Sequence, residues 1–178
     1  KKDRSVAFST GILSFNLAIM MFAENELSQV IFYEPLFWRY IAAFCYFLIP
    51  AFLAIIVLSW LKEKSPLIAR IVLASSLAFT ASVAALSIFT PFNFVNAYPY
   101  FDILFIILVF ALLSGCIKQF YQAGITGSLM TFGILALSVA LVIDMLSAHG
   151  LISWIGRAGQ WGLILFTLAS LVIYLVQD

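Results

Sequence analysis

Six stretches of this chain are each long and apolar enough to cross a lipid bilayer, and that property leaves few folds open. The hydrocarbon core of a bilayer is about 30 Å thick and a helix rises about 1.5 Å per residue, so a spanning helix needs about 20 mostly apolar residues. The stretches run approximately over residues 5–23, 36–61, 67–89, 101–117, 124–146 and 151–176. Lipid offers no water to the backbone amides, so each stretch must satisfy its own hydrogen bonds as a helix. A closed barrel is the other solution, but it needs short strands of alternating polarity, and these runs do not alternate. Composition excludes the alternative of core helices in a soluble protein. Hydrophobic residues make up 65% of the chain and charged residues 10%, against about half and about 25% in a soluble domain. Too few polar residues remain to coat a globule, and the surplus apolar surface must face lipid. The expectation is an all-α, polytopic transmembrane bundle of six spanning helices, forming one domain over residues 1–178.

Punctuation falls between the stretches. Glu24-Asn25-Glu26 opens the first loop, Pro35 marks the entry to the second helix, and Lys62-Glu63-Lys64-Ser65-Pro66 is a polar turn. Pro66 suits the first turn of the next helix, where its missing amide hydrogen is harmless. Pro91 and Pro99 bracket an aromatic loop, F-N-F-V-N-A-Y, that reads as an interfacial segment. Lys118-Gln119 closes the fourth stretch and His149-Gly150 separates the fifth from the sixth. Pro50 lies inside the second helix and predicts a kink there, because its ring displaces the carbonyl four residues earlier. The first stretch follows K-K-D-R-S as a secretory signal would, but it has full span length and no clear small-x-small cleavage site before Glu24. It reads as a retained helix.

Charge sets the expected orientation. With a cytoplasmic amino terminus, Lys1, Lys2, Arg4, Lys62, Lys64, Arg70 and Lys118 fall on the cytoplasmic side. The other side receives only Arg39 and Arg157, together with Glu24, Glu26 and Glu34. The positive-inside rule then puts both termini in the cytoplasm. The net charge of +1 leaves no basic surface for nucleic acid.

Polar groups in or near the spans need partners, since an unpaired charge at a helix centre costs about 2.5–3.5 kcal/mol on insertion scales. Asn16 lies within the first helix; Asp102, Asp144, His149 and Arg157 lie in or near the outer halves of later ones. Asp144, His149 and Arg157 facing each other would form a ligand or ion site at the outer mouth. Alternatively, Asp144 is hydrated near the interface or paired with Arg157 to fix helix packing. Trp38-Arg39 at the outer edge either anchors a helix or grips an anion. Phe92, Phe94, Tyr98 and Tyr100 read as an interface belt. Ser75, Ser76, Ala78, Ser82, Ala84 and Ala85, with Gly124, Gly127 and Gly133, suit close helix contact. The candidate ligand-binding cluster is therefore Trp38, Arg39, Asp144, His149 and Arg157.

A lone His without a second ligand at metal spacing is no metal site. Cys45 and Cys116 lack metal or redox spacing, and a disulfide between them is not expected. The chain holds no H-E-x-x-H, G-x-S-x-G, P-loop or dinucleotide fingerprint, so neither an enzyme active site nor a cofactor is expected. The inverted repeats and paired broken helices of a transporter are also missing.

Three stretches carry a family resemblance. K-K-D-R-S-V-A-F is a short basic turn leading into a span. L-F-W-R-Y-I-A-A-F-C-Y-F-L-I-P-A-F-L sets an aromatic–basic pair at the outer edge before a helix with an internal proline. A-L-V-I-D-M-L-S-A-H-G-L-I-S-W, followed by G-Q-W-G-L-I-L-F-T-L-A-S, places an Asp two residues before the end of the penultimate span. Across nearly its whole length the chain resembles the membrane region of bacterial seven-transmembrane receptors with diverse intracellular signalling modules. The family's first helix has no counterpart here, so the resemblance implies that Lys1 begins in the first cytoplasmic turn. It further implies residence in the bacterial inner membrane, an extracytoplasmic ligand or sensory domain, and a cytoplasmic effector beyond Asp178. The implied assembly is a homodimer, and the implied role is transmission of an outside signal inward. The competing expectation is a structural subunit of a larger membrane complex.

Overall fold

The computed structural model describes residues 2–61, 66–122, 124–153 and 158–177. Seven α-helices follow in order: α1 (Lys2–Ala23), α2 (Leu27–Ile31), α3 (Pro35–Leu61), α4 (Leu67–Phe89), α5 (Tyr98–Gln122), α6 (Gly124–Ala148) and α7 (Ala158–Gln177). A 3-10 turn, Phe94–Ala97, leads into α5, and no strand occurs among the described residues. Among the described residues, five segments have the length and composition of a membrane span: Ser5–Ala23, Pro35–Leu61, Leu67–Phe89, Phe94–Gln122 and Gly124–Ala148. The protein is thus a helical bundle suited to a membrane.

The six long helices close into a ring. Each packs on its successor in the order α1, α3, α4, α5, α6, α7, and α7 returns to α1. Contact between α3 and α5 crosses the ring. Short connections impose this order, because a helix leaving a tight turn has its predecessor as nearest neighbour.

Side chains divide by face. Leu13, Leu17, Phe47, Leu53, Phe101, Phe105, Leu112, Ile134, Leu137 and Phe166 are fully buried inside the ring. Phe8, Phe15, Ile103, Phe110 and Trp161 point outward and are largely exposed. An apolar exterior of this kind is stable only against lipid.

The interior is tied by a few hydrogen bonds centred on α3. Pro50 lies within that helix and has no amide hydrogen to return to the preceding turn. In the same turn, the Cys45 carbonyl accepts from Asn16 Nδ2 of α1 at 2.8 Å and the Phe47 carbonyl accepts from Ser76 Oγ of α4 at 2.8 Å. Polar side chains on two neighbours therefore engage the backbone just ahead of the proline. Ser9 and Ser59 join α1 to α3 again, Oγ to Oγ at 2.9 Å.

Three expectations change. The stretch expected over 101–117 is longer at both ends, since α5 runs from Tyr98 with Pro99 in its first turn, the position proline favours. Lys118-Gln119 does not end it; the helix continues to Gln122, and Gly124 follows with φ at +65°, a left-handed value that glycine adopts without strain. The expected span 151–176 is not helical over Leu151–Ser153, α7 is described over 20 residues, Ala158–Gln177, and residues 154–157 of that expectation lie outside the described residues. The loop aromatics also part company with an interface belt. Phe94 is buried, Tyr98 is half-buried and Tyr100 alone is largely exposed. Asn93 accounts for this, because its Oδ1 accepts from the Val95 amide at 3.0 Å and winds the 3-10 turn that tucks Phe94 inward.

Candidate functional site

α6 ends in a defined motif. Gly150 has φ at +69°, its amide donates to the Ser147 carbonyl at 3.0 Å, and the Leu151 amide donates to the Leu146 carbonyl at 3.0 Å. These two bonds and the left-handed glycine make a Schellman cap. His149, the residue before that glycine, is thereby held at the end of α6. Its Nε2 lies 2.7 Å from Asp102 Oδ2 on α5. The other carboxylate oxygen, Oδ1, accepts from the Tyr46 hydroxyl of α3 at 2.8 Å. A carboxylate only accepts, so Nε2 carries the hydrogen in this pair. Tyr46, Asp102 and His149 therefore link α3, α5 and the end of α6 through one carboxylate.

Packing holds the linkage in place. Tyr46 lies about 16 Å along α3 from its start, at about 1.5 Å per residue, and sits among rings. Its ring is 5.1 Å from that of Phe101, 5.6 Å from that of Tyr98 and 5.9 Å from that of Phe105. Phe47 stacks on Phe94 at 5.3 Å and meets Phe101 at a tilt at 4.6 Å. Such contacts are worth about 0.5–1.5 kcal/mol each beyond area burial. The Asp102 side chain is only 10% exposed, whereas that of His149 is 43% exposed. A buried carboxylate needs donors, and here it has two that come from different helices.

These residues line an open cavity of about 320 Å³. Met20 and Glu24 contribute from the end of α1, Tyr46 from α3, and Tyr98 and Asp102 from the start of α5. Leu141, Asp144, Met145, Ala148 and His149 form the α6 wall. Asp144 on that wall also reaches across to α7. Its Oδ1 accepts from the Ala158 amide and its Oδ2 from the Gly159 amide, both at 2.7 Å. The first amides of a helix lack partners inside it and carry partial positive charge, so a carboxylate there is favourable twice over.

The expected cluster is thus divided. Asp144 and His149 share the cavity, and each holds a neighbouring helix. Trp38 does not line it; its Nε1 donates to the Phe32 carbonyl at 2.8 Å and its ring meets Phe22 edge-on at 5.5 Å. That geometry fastens the start of α3 to the end of α1. Arg39 is exposed beside it and does not line the cavity either. Arg157 lies outside the described residues. Glu24, Tyr46, Tyr98 and Asp102 complete the site and were absent from the expected cluster. Asp102 and Tyr46 had a signal, since each is a polar group inside an apolar run. Among the described residues no group of three His, Cys, Asp or Glu has the arrangement of a metal site, and both cysteines are free and buried.

Comparison with known proteins returns no match: no family model, no curated protein and no solved structure matches this chain.

Proposed function

We propose that this chain is the membrane region of a sensor. A ligand in the cavity between α1, α3, α5 and α6 biases the packing of α7, and α7 passes that bias to a cytoplasmic effector outside the chain. The observation that carries this reading is the double role of Asp144, which lines the cavity and holds the first amides of α7. A ligand that touches Asp144 alters the seat of α7 directly, and one that pulls on His149 acts on the link between α6 and α5. Either shifts the balance of two packings by its difference in affinity for them and by no more. The resemblance to bacterial seven-transmembrane receptors supports the same reading. In this proposal α7 is the sixth span, both termini face the cytoplasm of a bacterial inner membrane, and the cavity opens outward. The chain itself is not an enzyme.

Output of the full-length protein tests it. Asp144→Asn and His149→Gln are expected to alter effector activity while expression and membrane insertion are retained. Unchanged output from both variants removes the reading.

A second reading, a structural subunit of a larger membrane complex packed through α4, is favoured by one observation. Ala74, Ala78, Ala81, Ser82 and Ala85 form an exposed small-residue face on that helix, the kind of surface that lets helices approach closely in lipid. Mild-detergent extraction that recovers a fixed complex with other chains, together with Asp144 and His149 variants that leave output untouched, selects this reading over the first.

A further inference from the structure

We infer that the cavity takes a small aromatic molecule, seated against the rings of Tyr46 and Tyr98 and the thioethers of Met20 and Met145; this rests on the reading of the cavity as a ligand site. The four side chains come from separate helices: Met20 from α1, Tyr46 from α3, Tyr98 from the start of α5 and Met145 from α6. The rings of Tyr46 and Tyr98 stand 5.6 Å apart. Behind them a cluster of rings continues inward, Tyr46 meeting Phe101 and Phe105 and Tyr98 meeting Phe47. The cavity is therefore the place where this cluster reaches open space. One more ring there extends the same tilted and edge-on contacts that already hold the cluster together.

The rest of the apolar wall also selects rings over saturated hydrocarbon. A methionine thioether is polarizable and favours the edge of an aromatic ring, and its rotatable bonds let it close around a flat guest. Met20 and Met145 supply two such groups, and Leu141 adds plain hydrocarbon. A lipid chain is the most abundant competitor for an opening in a bilayer protein. It has no ring quadrupole to meet these walls, so an aromatic guest has the advantage over it. A volume of about 320 Å³ sits at the small end of the range of about 300–1,000 Å³ for small-molecule sites. That suits a single ring with a short arm.

The chain has one histidine, His149, and it lines the same cavity. Its ring resonances therefore report on occupancy once the protein is purified without a histidine tag. Two neutral probes, 2-phenylethanol and 2-cyclohexylethanol, share a hydroxyl arm and differ only in the ring. Each is titrated into the chain in dodecyl maltoside and compared at equal mole fraction in the detergent, which cancels their difference in hydrophobicity. The phenyl probe is expected to shift the His149 signals saturably and to bind about fivefold more tightly than the cyclohexyl probe. Met20→Leu combined with Met145→Leu keeps the volume and is expected to lower that ratio about twofold or more, with a saturable response retained. Ala148→Phe, which fills the cavity, is expected to abolish the response. Equal or tighter binding of the cyclohexyl probe overturns the aromatic class while leaving a ligand site in place. A ratio unchanged by the double variant overturns the seat against the methionines, and the inference with it. No saturable response to either probe overturns both the inference and the ligand reading. A response that survives Ala148→Phe places binding elsewhere and overturns the inference.

Discussion

Gly159 approaches Asp144 so closely that a Cβ at that position would lie 2.7 Å from Oδ2, the same oxygen that accepts the Gly159 amide at 2.7 Å. The hydrogen bond and the missing side chain are one requirement, because any larger residue would push the carboxylate off the amides it caps. Asp144→Asn keeps the shape, loses the charge and converts one acceptor into a donor. Its expected cost is about 1–2 kcal/mol, the range for losing a cap and its interaction with the helix dipole. Gly159→Ala is expected to cost at least as much. Denaturation in mixed detergent micelles measures both. Wild-type stability of both variants would show that the cap contributes nothing.

One turn further along, a Cβ on Gly162 would lie 2.6 Å from Ala140 Cβ and 3.0 Å from Leu137 Cα. The second contact is with backbone, which yields least. Gly162→Ala is therefore expected to separate α6 and α7 and to destabilise by about 1–3 kcal/mol, as overpacking does. Ala140→Gly in the same molecule relieves the nearer clash and should recover part of the loss. Absence of any recovery would place the fault outside this contact.

A double-mutant cycle measures the linkage through Asp102. Tyr46→Phe and His149→Leu each remove one donor from a carboxylate that then lacks part of its satisfaction. Their effects on stability are expected to be coupled by about 0.5–2 kcal/mol, because both act on the same buried group. Strict additivity would mean that the two donors serve Asp102 independently.

Asn16 offers a test of the bonds around Pro50. Asn16→Leu preserves bulk but leaves the Cys45 carbonyl without its donor, at an expected cost of about 0.6–2 kcal/mol for an interhelical hydrogen bond in a membrane protein. Cys45 and Cys116 are both buried, so the rate of maleimide labelling follows opening of the bundle. Asn16→Leu should accelerate labelling of Cys45 more than of Cys116, and equal acceleration would point to a global effect.

Much of this molecule follows from the order of residues alone. Apolar runs of span length compel helices and compel lipid contact, since only intrahelical bonds satisfy a backbone in hydrocarbon. Five expected spans recur as long apolar helices, and the breaks at Glu24 and His149-Gly150 sit where charge and glycine put them, while the expected turn over 62–65 lies outside the described residues and Pro66 stands just before α4 and not in its first turn. Those features depend on neighbours a few positions apart. The seat of α7 on α6 does not, because Asp144 holds the Ala158 amide from fourteen residues earlier on another helix. The cavity is further from the sequence still. Tyr46 and Asp102 are 56 positions apart, and Asp102 and His149 are 47 apart. Hydropathy marks each as a polar group in an apolar setting, but it carries no information about rotation of one helix against the next. That rotation is set by the fit of Phe47, Phe94 and Phe101 and by the glycine contacts of α6 with α7. Local composition thus determined which segments are helices and that they belong in a membrane, while packing between helices alone decided which polar residues meet.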